Sequence, residues 1–140
     1  MIIIIADDHA IFRNGVIELL LAEFTSIEIH EASNGKELLD KIDNAVWDLI
    51  LLDISMPVLN GIDTLKQIRA AGIKIPILML SSQPEDQFAI QVLKEGASGF
   101  VHKSKVSEEL ITAIKTVLSG KKYVSASFAD KSGFDLKELL

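Results

Sequence analysis

The sequence predicts an α/β protein, a parallel five-stranded sheet wound in both directions and covered by helices on both faces. Three observations predict it. Short apolar runs alternate five times with longer stretches of helical period. Three of those runs are apolar at successive positions, so both faces of the strand need covering, as in parallel sheets held between helix layers. The chain has 140 residues, 49% of them apolar and 24% charged, which fills one core and is too little for two domains.

The runs are Ile2 to Ala6, Ile27 to Ala32, Leu49 to Leu52, Ile75 to Leu80 and Gly99 to Val101. The second is weakest, because Glu28 and His30 alternate with apolar residues. Between the runs, Phe12, Val16, Leu19 and Leu20 form one helical stripe, and Leu38, Leu39 and Ile42 a shorter one. Ile62, Leu65 and Ile68 make a third stripe ending at Gly72, and Phe88, Ala89, Val92 and Leu93 a fourth ending at Gly96. Val106, Leu110, Ile114, Val117 and Leu118 make the fifth, with Gly120 just past its end and Ser107 as its expected cap. Crossovers between parallel neighbours are right-handed, which leaves a three-layer doubly wound sandwich. Ligands of that architecture bind beyond the carboxyl ends of the strands, where the winding reverses.

Acidic residues outnumber basic ones by 20 to 14, a formal charge of −6, which argues against this segment gripping a phosphate backbone. The lack of cysteine removes disulfide scaffolds, thiol nucleophiles, thiolate zinc sites and iron–sulfur clusters. No segment reaches the ~20 consecutive apolar residues of a membrane span. The opening apolar run lacks the basic lead-in and small-residue exit of a secretory signal, so a cytoplasmic location is expected.

The polar residues at the strand ends carry the chemistry. The first strand runs into Asp7-Asp8, the third into Asp53, the fourth into Ser81-Ser82 and the fifth into His102-Lys103. Singly, each has an ordinary explanation: a strand-end Asp starts loops or caps helices, and a lone Lys is a solvated surface charge. Together they bring three carboxylates, a hydroxyl and an ammonium to one edge of the sheet. Clustered carboxylates repel and push at least one pKa upward, a cost tolerated mainly where a hard cation or a substrate offsets it. An oxygen-rich site suits Mg²⁺, and a carboxylate there can attack phosphorus. His9, beside the acidic pair, is not expected to ligate such a site.

Several motifs in order resemble the receiver domain of two-component response regulators: Ile4-Ile5-Ala6-Asp7-Asp8-His9, Phe12-Arg13-Asn14-Gly15, Asp48 through Pro57, Asn60-Gly61, Leu80-Ser81, and Gly96 through Lys103. The likeness is greatest to the LuxR/NarL/FixJ-type subfamily, whose receivers precede a helix-turn-helix. It implies the flavodoxin-like sandwich with strand order 2-1-3-4-5, and a signalling switch rather than a conventional enzyme. Asp53 would be the phosphoacceptor, charged by a sensor histidine kinase in a reaction dependent on Mg²⁺ (or Mn²⁺). Asp8 and Asp53 would bind the metal directly, Asp7 through water, and Ser55 through its backbone carbonyl. Lys103 would contact the phosphoryl oxygens and Ser81 would hydrogen-bond to them. Phe100 occupies the switch-aromatic position, where the ring turns inward as Ser81 moves. The added phosphoryl charge, roughly −1.5 to −2, would shift the population of the last two strands and the fourth helix.

There are departures from the family pattern. Ser104 follows Lys103 where many receivers have Pro, Ser81 stands for Thr, and Phe100 for Tyr. Residues 1–120 are read as the receiver and 121–140 as the start of a linker, with Asp135 to Leu140 able to begin a helix. The expectation is a fragment of a transcription factor that binds DNA only through a further domain; a stand-alone receiver working by protein contacts is the rival. The Leu20-Leu21 and Val117-Leu118 pairs leave open an apolar homodimer surface. Two other classes fit less well. A flavin carrier would meet its phosphate with Asp7-Asp8, which repel it. A haloacid-dehalogenase-type phosphohydrolase needs a second Asp where Ser55 stands.

Overall fold

The computed structural model describes residues 1–132. Its strands are β1 (Ile2–Ala6), β2 (Glu28–Ala32), β3 (Leu49–Asp53), β4 (Ile77–Ser81) and β5 (Gly99–His102), all parallel, in the order β2-β1-β3-β4-β5. The helices are α1 (Ala10–Glu23), α2 (Gly35–Lys41), α3 (Gly61–Ala70), α4 (Glu85–Lys94), α5 (Val106–Leu118) and α6 (Ala126–Ser132). The predicted fold class and strand order are those observed.

Alternation of side chains along each strand divides the interior into two layers. Ile3, Ile5, Leu49, Leu51, Leu78, Leu80 and Val101 meet α1 and α5 through Val16, Leu20, Leu110 and Ile114. Ile4, Ala6, Ile50, Leu52, Ile77, Met79 and Phe100 meet the other helices through Leu38, Leu65, Ile68, Val92 and Leu93. Strands β1, β3 and β4 are the ones the sequence marks as apolar throughout, and they are buried on both faces. At the sheet's edge, β2 exposes Glu28, His30 and Glu31. Its His30 packs edge-on to the buried Trp47, whose Nε1 donates to the Ile42 carbonyl.

Two features differ from expectation. Strand β4 starts at Ile77, because Pro76 has no N–H to donate, although its carbonyl accepts from Ile50. Helix α5 starts at Val106, so Ser107 lies inside it and does not cap it. The preceding 3₁₀ turn (Lys103–Lys105) is capped by the His102 ring, which accepts from Ser104 N–H at 3.1 Å.

The segment after α5 folds back along the outer edge of β5. Tyr123 donates its N–H to the Ser98 carbonyl and accepts from Phe100 N–H, at 3.0 and 3.1 Å. Ser125 donates to the Glu85 carboxylate through both its N–H and its hydroxyl, and Val124 and Phe128 are buried in the α4 side of the core. Tyr123 Oη donates to Glu109; burial first, and then Glu109, raises the phenol above its ordinary value. The expected helix from Asp135 lies outside the described residues. Of the proposed apolar pairs, Leu20 and Val117 are buried, and only Leu21 and Leu118 reach the surface.

Candidate functional site

Asp7 and Asp53 leave adjacent strands at the same level of the sheet, since β1 pairs with β3 through Ala6 and Leu52. Both are buried, whereas Asp8 turns outward at the start of the β1–α1 connection. Carboxylate oxygens of Asp7, Asp8 and Asp53 and a ring nitrogen of His9 lie within 4.8 Å of one another. The structure therefore assembles the three acidic residues that the strand-end pattern brings to one edge.

Lys103 reaches into the cluster from the turn after β5. Its Nζ stands 2.9 Å from Asp7 Oδ2 and 3.1 Å from Asp53 Oδ2. The Asp53 contact is a hydrogen bond; the Asp7 contact is an ion pair too oblique to be one, so Asp7 Oδ2 is buried without a hydrogen-bond partner. Asp7 Oδ1 accepts from His9 N–H at 2.7 Å, and the Arg13 guanidinium donates to the Asp7 carbonyl. His9 Nδ1 lies 3.2 Å from Asp8 Oδ1 and 3.4 Å from Lys103 Nζ. The Phe12 ring lies beside the same ammonium, its centroid 4.5 Å from Nζ. Neither the His9 nor the Phe12 contact was visible as a pattern in the sequence, because each depends on the pairing of α1 with the end of β5.

Asp53 is the perturbed acid of the group. Burial raises its pKa from an ordinary 3.8 to about 6; the charge of Asp7 adds to the rise, while Lys103 and the Ser55 N–H oppose it. It accepts from Ser55 N–H at 3.3 Å. A cavity of about 690 Å³ lies beside the cluster, lined by Asp8, His9, Ser55, Met56, Lys66 and Gln91. The donor set fits a hard divalent cation: clustered carboxylate oxygens, one of them buried with unused lone pairs.

Ser81 is buried at the end of β4, and its Oγ accepts from Gln83 N–H at 2.9 Å. Phe100 is fully buried in β5, with its ring lying inward. His102 sits at the rim, with Nε2 3.0 Å from the Ser82 carbonyl.

The β3–α3 loop shapes the near wall. Asn60 caps α3 by accepting from Asp63 N–H at 2.9 Å, and Gly61 N–H donates to the Ile54 carbonyl at 2.8 Å. Within the loop, Leu59 N–H closes on the Pro57 carbonyl at 2.7 Å and forces the exposed Val58 to φ 69°. A β-branched residue there is strained by about 1–3 kcal/mol. Val58→Gly is expected to raise stability by about 1 kcal/mol after the entropic cost of glycine, read as a higher urea midpoint.

Comparison with known proteins places this site in a family. The sequence matches the response regulator receiver domain over residues 3–115. The chain belongs to that family. It is 36% identical to the transcriptional regulatory protein LnrK of Bacillus subtilis, over 84% of this chain and 54% of that protein. It is 32% identical to the nitrate/nitrite response regulator NarL of Escherichia coli, over 88% of this chain and 57% of that protein. The chain thus spans little more than half the length of these relatives. A LuxR-family response regulator from Aurantimonas superposes with a TM-score of 0.85 at 28% identity, covering 92% of each chain. A receiver domain is a phosphoacceptor signalling module rather than a conventional enzyme, and the acidic cluster is consistent with the receiver metal site. No helix among the described residues is long and apolar enough to cross a membrane.

Proposed function

We propose that this receiver works as a phosphorylation-activated switch in which Asp53 takes a phosphoryl group from a sensor histidine kinase. The supporting observation is Asp53 itself: buried, bound to the Lys103 ammonium, faced by a second buried carboxylate, and next in the chain to Ile54 and Ser55, which line the adjoining cavity with Asp8. Its elevated pKa of about 6 still leaves it ionised at neutral pH, as a nucleophile must be. The new P–O bond forms at an Asp53 carboxylate oxygen as the donor's P–N bond breaks and its electron pair stays on the imidazole.

Asp8, Asp53 and the Ser55 carbonyl would hold Mg²⁺ or Mn²⁺, with Asp7 joining through water. The ion, when bound, supplies charge neutralisation for the phosphoryl oxygens. Lys103 supplies a second positive charge and a proton to donate to one of those oxygens. Ser81, whose hydroxyl proton is not committed in any observed bond to Asp53, turns toward the new group, and Phe100 packs behind it. The signal then leaves as a population shift of β4, α4 and β5.

The output we assign is transcription through a DNA-binding domain, by analogy with longer relatives named as transcriptional regulators. Residues 1–120 would be the receiver proper and 121–140 the connection to that domain. Leu21 and Leu118 offer an apolar contact for a homodimer on phosphorylation. Beryllofluoride with Mg²⁺ is expected to shift amide resonances at Ser81 and Phe100. A silent spectrum, or steady turnover of a phosphomonoester, would overturn the switch.

A further inference from the structure

Phe12 has no part in the chemistry described so far, yet its ring touches the Lys103 ammonium that joins Asp7 to Asp53. The residue sits in the first turn of α1, half-buried, with its ring centroid 4.5 Å from Lys103 Nζ. Asp7 Oδ2, Asp53 Oδ2 and His9 Nδ1 surround the same ammonium at 2.9, 3.1 and 3.4 Å. The Lys103 side chain is only 12% exposed, so water supplies little of the solvation that an ammonium requires. An aromatic face attracts an ammonium through its quadrupole, and most strongly when the cation is shielded from water.

The neighbours differ in what happens to them during phosphoryl transfer. Asp53 exchanges its carboxylate charge for an acyl phosphate, and Asp7 and His9 share their cluster with any divalent cation. The ring alone keeps the same charge distribution throughout. A lysine has four rotatable side-chain bonds, so a fixed non-ionic contact limits how far its ammonium strays while the anionic partners change.

We propose that Phe12 is a positioning residue for phosphoryl transfer: its ring face fixes the Lys103 ammonium between Asp7 and Asp53. This inference rests on the proposed function of Asp53. The attraction is electrostatic, which separates it from simple packing. Phe12 also lines an open apolar groove of about 270 Å³ with Gly15, Leu19 and Val106, so small ring substituents find space.

The test is a series of domains carrying one, two or three fluorines on the Phe12 ring. Fluorine preserves the shape and progressively cancels the negative face. The rate of Asp53 phosphorylation by acetyl phosphate with Mg²⁺ is expected to fall stepwise, with its logarithm linear in fluorine number and a total loss of about fivefold. Phe12→Leu should match the trifluorinated domain and Phe12→Tyr should keep the parent rate, with Mg²⁺ affinity, read by titration, changing less than about twofold. A flat series, a loss independent of fluorine number, or a fully active Phe12→Leu overturns the proposal. Failure of the unsubstituted domain to respond to either acetyl phosphate or beryllofluoride would instead remove the function beneath it.

Discussion

Asp53→Asn is expected to reduce phosphoryl incorporation from acetyl phosphate to background, measured by intact mass, and to abolish the beryllofluoride response. In metal-free protein the same substitution should also make the fold more stable at neutral pH. The folded state holds the Asp53 proton up to about pH 6, whereas the unfolded chain releases it near 3.8. Between those values the unfolded state binds fewer protons, so stability falls as pH rises through the window and the penalty is complete above it. The rise from 3.8 to about 6 corresponds to on the order of 3 kcal/mol, in which the opposing attraction of Lys103 is already included, so a gain of that order is expected for Asn at pH 7.5. In urea melts with chelator, that difference between variant and parent should nearly vanish at pH 4. A difference that stays constant with pH would mean that Asp53 does not carry this penalty. Added Mg²⁺ should narrow the gap at pH 7.5 by stabilising the parent, since a ligand of the native state stabilises by mass action.

Gly61→Ala is expected to be the most damaging small substitution near the site. A methyl group at Gly61 would lie 2.0 Å from the Asp53 carbonyl oxygen and 2.8 Å from both the Asp53 carbonyl carbon and Ile54 Cα. These are backbone atoms, pinned by the Ile54 N–H bond to Leu80 and by the Gly61 N–H bond to Ile54. Neither side can yield without moving the end of β3, so the loss should reach about 3 kcal/mol or more. Phosphorylation of Asp53 should slow as well, because its backbone is what moves. Gly15→Ala supplies the contrast. A methyl there meets nothing within 4 Å, and alanine in a helix gains up to about 1 kcal/mol over glycine. Urea midpoints of the two variants should therefore move in opposite directions.

The layered architecture was legible because β1, β3 and β4 are apolar at successive positions up to the polar ends Asp53 and Ser81, a pattern that double-sided burial demands. The acidic cluster was legible for a related reason: the carboxyl ends of parallel neighbours lie at one level, so Asp7, Asp8 and Asp53 had to converge. What escaped the sequence depends on contacts distant along the chain. Pro76 cuts β4 short although its neighbours are apolar. His102 replaces Ser107 as the local cap because the chain makes a 3₁₀ turn before α5. The strained Val58 carries no compositional warning, since valine there looks like any loop residue. The packing of Tyr123, Val124 and Phe128 is invisible until β5 and α4 are adjacent.

That last packing has a consequence for assembly. A parallel sheet of five strands exposes two rows of unpaired amides, each able to recruit a strand from another molecule. On one side the chain answers with charge, through Glu28, His30 and Glu31 on β2. On the other it uses itself: Tyr123 lies against Gly99 so closely that any side chain there would meet the Tyr123 carbonyl at 2.8 Å. The self-protecting part therefore includes Tyr123, Val124 and Phe128. A version cut after Gly120 would uncover the Phe100 amide and Ser98 carbonyl, turning a guarded flank into a template for sheet extension between molecules.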